Sequence, residues 1–187
     1  MFDLDQFVAD CRSALAADKS DTLVREVVAQ AVSDPSAVFK GLGEPTRGML
    51  KPLYRSDDLT ILNIVWAPHM TLPPHDHNMW AVIGIYTGRE DNIYWRRLPG
   101  GNGRVEAAGA RALGRGDTER MGRAIIHSVT NPLPRLTAAL HVYGGDFFAA
   151  QRSEWDAETL AEQRWDPERA VRRFEEANRI MTAPARS

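Results

Sequence analysis

Residues 73–87 read Pro-Pro-His-Asp-His-Asn-Met-Trp-Ala-Val-Ile-Gly-Ile-Tyr-Thr, an H-x-H element that leads into an apolar run. In an extended strand, residues i and i+2 point to the same side. His75 and His77 would therefore present two imidazoles to one face, with Asp76 on the other. Two imidazole nitrogens on one face can bind a metal in a β-barrel. A surface pair beside a proline turn is the alternative interpretation.

The strand pattern extends on both sides of this stretch. Short β-rich runs, separated by Gly, Pro, Asn and Asp, occupy about 100 residues from about Arg47 to Asp146. Turn-forming sequences such as Pro99-Gly100-Gly101-Asn102-Gly103 separate the runs. The pattern predicts an all-β barrel or sandwich, with strands at residues 49–54, 58–67, 79–86, 91–97, 104–112, 124–130 and 136–143.

Helical periodicity appears before and after the strands. Apolar residues recur at helical spacing over residues 4–15 and again over 23–32, and Asp34-Pro35 is expected to end the second helix. Asp166-Pro167-Glu168 predicts the start of a C-terminal helix. We therefore predict a single domain over residues 1–187, made of a helical N-terminal cover (1–45), a β-barrel (46–148) and a C-terminal helical tail (149–187).

Composition narrows the class of partner. A chain of 187 residues suits one domain, and 43% hydrophobic residues with a net charge of −2 are typical of a folded protein. The balanced charge gives no general attraction for polyanions, so we expect no nucleic-acid and no membrane partner. A small-molecule ligand is expected instead, and the oligomeric state is left open, a homo-oligomer included.

The compartment is inferred from cysteine content and from the absence of targeting patterns. Cys11 is the single cysteine, so no internal disulfide can form. The N-terminal sequence lacks a basic region followed by an apolar run, as a secretion signal would have. No apolar stretch approaches the roughly 18 residues of a spanning helix. We therefore expect a cytoplasmic protein.

A third histidine follows farther along the chain. Gly88 lies eleven residues after His77, and His127 and Asn131 form a His-x-x-x-Asn element after a glycine turn. This layout, over residues 75–131, resembles the two motifs of the cupin superfamily. The resemblance implies a mainly β fold, the double-stranded β-helix or jelly-roll barrel. It also implies a metal inside the barrel, bound by His75, His77 and His127.

The ligand set departs from that of many cupins, which carry a glutamate four residues after the H-x-H. This chain has Ala81 there, and Glu90 lies beyond the glycine turn and is not expected to substitute. Three neutral imidazoles would leave the charge of a ferrous ion uncompensated, which favours an anionic ligand such as a thiolate. Zinc with three histidines and a water is the competing chemistry.

Residues 139–147 read Ala-Leu-His-Val-Tyr-Gly-Gly-Asp-Phe, and strand alternation puts Ala139, His141 and Tyr143 on one face. This strand is similar to the Ser-x-His-x-Tyr strand of the cysteine dioxygenase family, three-histidine cupins that include bacterial enzymes for other small thiols. The resemblance implies that His141 and Tyr143 are catalytic, with His141 orienting the tyrosine. Ala139 stands where the family has its serine, so another group or water must hold His141.

Substrate-binding residues are also implied by the resemblance. Cysteine-specific members bind the substrate carboxylate through the arginine of a Tyr-x-Arg segment, and the nearest counterpart here is Tyr54-Arg55. Arg55 is therefore predicted to bind the carboxylate, because a guanidinium fork matches it. Trp80 is predicted to line the pocket, with packing in the barrel as the alternative. Other arginines that could serve instead of Arg55 are Arg96, Arg97 and Arg123.

Together these features predict a non-haem Fe(II) thiol dioxygenase, which would convert a small carboxylate-bearing thiol to its sulfinate with O2. Two alternatives remain open. One is a zinc, nickel or manganese cupin that performs hydrolysis, isomerisation or lyase chemistry. The other is a cupin that binds a ligand without catalysis, for which the missing serine and the altered arginine spacing are the best support.

Overall fold

The computed structural model describes residues 2–18 and 21–183; the predicted domain ends at 1 and 187 lie outside these ranges. The described helices are α1 (Leu4–Ala17), α2 (Thr22–Val32), α3 (Pro35–Leu42) and α4 (Pro167–Thr182). The described strands are β1 (Met49–Arg55), β2 (Thr60–Trp66), β3 (Thr71–Asp76), β4 (Ala81–Thr87), β5 (Arg89–Arg97), β6 (Val105–Gly114), β7 (Thr118–Met121), β8 (Ile126–Thr130), β9 (Thr137–Tyr143), β10 (Ser153–Trp155) and β11 (Glu162–Arg164). None of the helices in these ranges is long and apolar enough to cross a membrane.

The strands form two antiparallel sheets. One has the order β1-β2-β9-β4-β7, and the other has the order β11-β10-β3-β8-β5-β6. Strands far apart in sequence are neighbours in each sheet, such as β2 beside β9 and β3 beside β8. This is the arrangement of a double-stranded β-helix. The predicted fold class, mainly β with helices at the N- and C-terminal sides, is confirmed.

The first hydrophobic core lies between the two sheets. In β4, Ala81, Ile83 and Ile85 contribute to it, together with Leu72 and Val129 of the other sheet. These β4 residues alternate along the strand because successive side chains point to opposite faces of a sheet. The residues between them face the other way. The predicted site lies in this interior.

The second core lies between the outer face of the five-stranded sheet and the N-terminal helices. Val82 and Leu140 of the sheet pack here against one face of α2. A Cβ at Gly84 would lie 2.5 Å from Val28 Cγ1, so glycine allows the helix to approach the strand closely. The buried α2 residues recur every four positions, as expected for one helix face: Val24, Val28 and Val32.

The segment after α2 differs from the prediction. Asp34-Pro35 does follow the end of α2, but it also begins a third helix, α3, that the sequence analysis did not predict. The Asp34 side chain accepts a hydrogen bond from Ala37 N at 3.1 Å. Proline is well tolerated in the first turn of a helix, where a backbone N–H has no helical partner. The same pair of residues thus ends one helix and starts the next.

The predicted helical tail, 149–187, is corrected in its first part. Strands β10 and β11 precede the helix, and β10 extends the six-stranded sheet by pairing Glu154 with His75 of β3. Helix α4 begins where the capping pattern indicates, with Asp166 accepting from Glu168 N at 2.9 Å. Strands β3 and β7 were also missing from the predicted strands. Runs of three to six residues are too short to show a clear period.

Candidate metal centre

Three buried histidines meet inside the barrel. His75 of β3 lies directly opposite His127 of β8 in the strand register, and His77 follows the end of β3. One ring nitrogen from each lies within 4.8 Å of the others. His77 Nε2 and His127 Nε2 are 3.3 Å apart. The structure thus brings together the three histidines that the sequence motifs single out.

Two of these rings are oriented by hydrogen bonds through Nδ1. His75 Nδ1 lies 2.9 Å from the Pro73 carbonyl oxygen, and His127 Nδ1 lies 2.7 Å from Asn92 Oδ1. Carbonyl oxygens only accept, so both rings carry their hydrogen on Nδ1 and leave the Nε2 lone pair free. Metal-binding histidines are commonly oriented in this way.

Burial keeps the imidazoles neutral. Burial lowers the pKa of His75 to about 4, and a hydrogen bond to the Pro73 carbonyl only partly offsets it. The pKa values of His77 and His127 also lie well below their usual range, mainly because of burial and also because of the neighbouring imidazoles. Neutral imidazole is the form that binds a metal.

The donor set fits a divalent metal ion. Two nitrogens that bind one tetrahedral ion at ~2.1 Å lie ~3.4 Å apart, close to the 3.3 Å between His77 Nε2 and His127 Nε2. Within residues 2–18 and 21–183, the group of close metal-ligating side chains holds the three histidines and no carboxylate. Ala81, which stands at the position of the glutamate ligand of many cupins, faces the interior core but offers no ligand atom. The cluster could therefore hold a divalent ion through three neutral nitrogens.

His141 and Tyr143 approach the cluster from the facing sheet. Both are buried on β9, and His141 Nδ1 lies 3.1 Å from the Tyr143 hydroxyl oxygen. The Tyr143 ring lies 5.0 Å from the His77 ring, at an interplanar angle of 77°. Burial raises the pKa of Tyr143 above its usual range, so the hydroxyl keeps its proton at neutral pH. His141 and Tyr143 thus form a hydrogen-bonded pair beside the histidine cluster.

Glu90 and Asn92 of β5 are site residues that the sequence analysis missed as such. Glu90 is fully buried, and its Oε2 lies 3.7 Å from His141 Nε2. Asn92 Nδ2 donates to Glu90 Oε1 at 3.0 Å. Burial raises the pKa of Glu90 to about 7. Glu90 is outside the three-histidine group, as predicted, but it contacts the residue that the missing serine was expected to hold.

Arg152 is a third site residue that the sequence analysis does not predict. It is only 8% exposed, and its guanidinium lies 3.8 Å from the Phe147 ring centroid and 4.3 Å from the Trp165 ring centroid. Among the residues that the structure describes, its Nε and Nη1 have no hydrogen-bond partner. Burial lowers its pKa to about 10, so it remains charged at neutral pH. A stacked cation with free donors is suited to bind an anion.

Arg152 and the candidate catalytic residues line the same enclosed cavity. This cavity, of about 20 Å³, is bordered by Arg152, Tyr143, His141 and the three histidines of the cluster. A larger cavity of about 470 Å³ adjoins it, with α4 forming one wall. Residues common to the walls of both cavities are Leu50, Phe147, Arg152, Trp165, Ala170 and Phe174. Arg152 thus stands between the histidine cluster and the larger space.

The structure does not bring Arg55 or Trp80 to this cavity. Arg55 is half-exposed and forms a two-point ion pair with Asp146, at 2.9 and 2.7 Å. Trp80 packs with the core on the helix side of the sheet and against Gly144, where a Cβ would lie 2.0 Å from the indole. The predicted pocket-lining positions of both residues are therefore corrected. The alternative arginines bond to other side chains: Arg96 to Glu106, Arg97 to Glu162 and Arg123 to Asn78.

The two remaining motif residues have structural roles. Asn131 is fully buried, and its Nδ2 donates to the Ala67 carbonyl at 2.9 Å while its Oδ1 accepts from Thr137 Oγ1 at 2.9 Å. Gly88 has a φ of 80°, and a Cβ there would lie 2.1 Å from Thr137 Oγ1. Asn131 therefore holds Thr137, at the start of the strand that carries His141 and Tyr143, and the lack of a side chain at Gly88 leaves room for Thr137.

No protein-family model matches the chain. Solved structures that are similar to it include an RmlC-like cupin family protein with a double-stranded β-helix fold from Methanocaldococcus jannaschii, with 12% identity and a TM-score of 0.46 over 56% of this chain and 86% of that chain. A conserved protein with a double-stranded β-helix domain from Klebsiella pneumoniae has 17% identity and a TM-score of 0.45, over 64% and 85%. The DMSP lyase DddQ from Ruegeria pomeroyi has 22% identity and a TM-score of 0.44, over 56% and 50%. What the cavity can do chemically follows from the residues that line it.

Proposed function

We propose that the protein is an Fe(II)-dependent thiol dioxygenase that converts a small carboxylate-bearing thiol to its sulfinate with O2. The observation that carries the proposal is the composition of one buried cavity. It combines three neutral imidazoles that can hold a metal, a protonated phenol and a buried guanidinium with free donors. Each group matches one need of the reaction: a redox metal, a polar group beside it and an anchor for an anion.

The three histidines define where the chemistry would occur. A ferrous ion held by His75, His77 and His127 would supply the redox chemistry that transfers both atoms of O2 to the thiolate sulfur. The product RSO2⁻ contains all the atoms of RS⁻ and O2, so the reaction needs no other reductant. The imidazoles are neutral, and a thiolate compensates metal charge that they leave uncompensated. The absence of a carboxylate from the described donor group therefore favours an anionic substrate.

Arg152 is the group best suited to bind the substrate carboxylate. Its planar guanidinium can donate two parallel hydrogen bonds to a carboxylate. The rings of Phe147 and Trp165 lie against it, which restricts its orientation. A substrate whose carboxylate binds Arg152 would direct its thiol toward the histidines and its remaining atoms toward the larger cavity.

Tyr143 is the polar group that the facing sheet offers to the substrate. Its hydroxyl is held by His141 Nδ1 at 3.1 Å, and its ring contacts the ring of His77. Because its pKa is raised by burial, it acts as a neutral phenol at physiological pH. It can therefore form a hydrogen bond beside the reacting sulfur without adding charge to the cavity.

The test is an oxygen-electrode assay with protein purified without oxygen and analysed for metal. We expect bound iron and the uptake of one O2 per thiol with 3-mercaptopropionate or cysteine, and a sulfinate product by mass spectrometry. Cysteamine, which lacks the carboxylate, serves as the matched control and should be a poor substrate. Bound zinc, nickel or manganese without thiol-dependent oxygen uptake would favour a hydrolase, isomerase or lyase. Tight thiol binding without turnover would favour a binding protein.

A further inference from the structure

The side chains around Glu90 donate hydrogen bonds to it. Trp66 Nε1 donates to Glu90 Oε2 at 2.8 Å, and Asn92 Nδ2 donates to Glu90 Oε1 at 3.0 Å. An indole N–H can only donate. Asn92 must also donate with Nδ2, because its Oδ1 faces His127 Nδ1 at 2.7 Å. Both carboxylate oxygens are thus bonded to donors whose direction is fixed by chemistry.

His141 is the third group at this carboxylate. Its Nε2 is buried, has no hydrogen-bond partner in the part of the chain that the structure describes, and faces Glu90 Oε2 across 3.7 Å. An acceptor opposite Nε2 favours the tautomer with the hydrogen on that nitrogen. A neutral imidazole has only one N–H, so Nδ1 is then an acceptor. The Tyr143 hydroxyl, 3.1 Å from Nδ1, must therefore be the donor.

We propose that Glu90 is a positioning residue that fixes the tautomer of His141 and, through it, the direction of the Tyr143 O–H bond. The inference rests on the proposed function for its catalytic consequence. Glu90 then performs, from strand β5, the task that a hydroxyl at Ala139 would perform from β9. The same carboxylate also fixes Asn92 and, through it, the His127 ring. One side chain thereby orients both a candidate metal ligand and the candidate catalytic tyrosine.

The proposal has a chemical consequence at the cavity. When Tyr143 donates its hydrogen to His141, its oxygen lone pairs remain available on the cavity side. The phenol can then accept a hydrogen bond from the S–H of an arriving thiol, before the thiol loses this proton and reacts as a thiolate. Without Glu90, His141 can carry its hydrogen on Nδ1 and donate to Tyr143. The phenol hydrogen would then turn toward the cavity, and the phenol would no longer offer its oxygen lone pairs to the S–H of an arriving thiol.

The direct test is the tautomer of His141 in metal-free, nitrogen-15-labelled protein, measured from the long-range nitrogen–proton couplings of the ring. In the wild type, at a pH above the pKa of Glu90, where this side chain is a carboxylate, we expect the hydrogen on Nε2. In Glu90→Gln, one oxygen is replaced by an NH2 group, which must face either His141 and Trp66 or Asn92. We therefore expect the hydrogen to move to Nδ1 in His141, or from Nδ1 to Nε2 in His127. Trp66→Phe is the matched control: it removes a donor but keeps the carboxylate, so both tautomers should be unchanged.

The kinetic readout separates this proposal from the proposed function. If the hydrogen moves in His141, Glu90→Gln should lower kcat for the thiol about 10- to 100-fold at unchanged iron content, the size of effect that is common for groups that orient the residues of a metal site. If it moves in His127 instead, the iron content should fall, because an Nε2 that carries a hydrogen cannot bind a metal. Glu90→Asp, which keeps the charge, should restore part of the loss. A hydrogen on Nδ1 of His141 in the wild type, or unchanged tautomers of both histidines in Glu90→Gln, would overturn the proposal whether or not thiols are oxidised. If the tautomers behave as expected and no thiol is oxidised, the proposed function is wrong and the positioning role stands.

Discussion

The two faces of strand β9 differ in chemistry although their residues alternate along one backbone. Ala138, Leu140 and Val142 face the helices and belong to an apolar core. His141 and Tyr143 face the barrel interior, next to three more imidazoles, a carboxylate and a guanidinium. The outer face follows the ordinary rule that apolar groups are buried together. The inner face breaks this rule with many buried polar groups, which is typical of a functional site.

The pKa values of the groups on the inner face show that burial disfavours their charged forms. Burial lowers the pKa of His141 to about 3 and raises that of Glu90 to about 7, so both shifts favour the neutral form. Such groups destabilise a fold unless they are paired. We therefore expect substitutions on the inner face to change binding and chemistry, and substitutions on the outer face to change stability. The predictions below test this division.

The largest expected effect is on the inner face, at His127. His127→Ala should abolish iron binding and thiol-dependent oxygen uptake together, because it removes one of three nitrogens that meet within 4.8 Å. Metal content by atomic emission and oxygen uptake measure the two effects. Retention of both in the variant would contradict the assignment of His127 as a ligand.

A matched control is available at His69, which is an exposed histidine outside the cluster. His69 has a φ of 58°, and asparagine tolerates this left-handed conformation better than alanine does. His69→Asn should therefore leave metal content and oxygen uptake unchanged. A loss of metal in this control would mean that histidine number, and not position, determines binding.

On the outer face, Leu140→Ala should lower the free energy of unfolding by about 2–5 kcal/mol, the range for a buried leucine that leaves a cavity. Leu140 is fully buried under the helices. The metal content of the folded variant should equal that of the wild type. Denaturant unfolding measures the stability, and Leu140→Met, which conserves volume, should cost less than about 1.5 kcal/mol. A Leu140→Ala variant of normal stability that loses its metal would break the division between the faces.

Alternation made both faces of β9 predictable from sequence, and local patterns account for most of the correct fold prediction. The errors have local causes. The sequence analysis predicts only the end of a helix at Asp34-Pro35, although it predicts the start of a helix from the same Asp-Pro order at Asp166-Pro167, and the structure begins a helix at both. Strands β10 and β11 have three residues each and exist because they hydrogen-bond to each other. A local sequence pattern does not reveal such pairing.

Site residues could be predicted from sequence where they belong to a motif. They could not be predicted where only a tertiary contact brings them to the site. His75, His77 and His127 stand at motif spacing, and the structure joins them. Arg152 was missed because nothing in its neighbourhood in sequence distinguishes it, and its stacking partner Trp165 is thirteen residues away. The resemblance to a Tyr-x-Arg segment implies Arg55, and Trp80 follows the H-x-H closely, but position in sequence does not decide which face a side chain takes. For Glu90 a signal existed: Glu90 and Asn92 put two polar side chains on one face of a strand.

Glu90, on the interior side of the barrel, should make the stability of the protein depend on pH. Its pKa rises from 4.5 to about 7 on folding, so the folded state holds the proton more tightly. The stabilisation from this group is complete below about pH 4.5 and is lost as the pH rises through about 7. Each pKa unit corresponds to about 1.4 kcal/mol, so metal-free wild type should lose about 3 kcal/mol relative to Glu90→Gln across this range. Urea unfolding of both proteins at several pH values measures the difference, and parallel curves would show that burial does not shift this group.

Two arginines allow a similar comparison between the interior of the protein and its surface. Arg152 is buried with free donors, whereas Arg55 is half-exposed and already paired with Asp146. If Arg152 binds the carboxylate, Arg152→Gln removes a charge-assisted hydrogen bond worth about 1.5–3 kcal/mol, which corresponds to an increase of about 10- to 100-fold in KM. Arg55→Gln should change KM less than about twofold, because exposed ion pairs contribute little. Steady-state kinetics with 3-mercaptopropionate decides between them, and the opposite ranking would return the carboxylate to the arginine that the sequence motif first indicated.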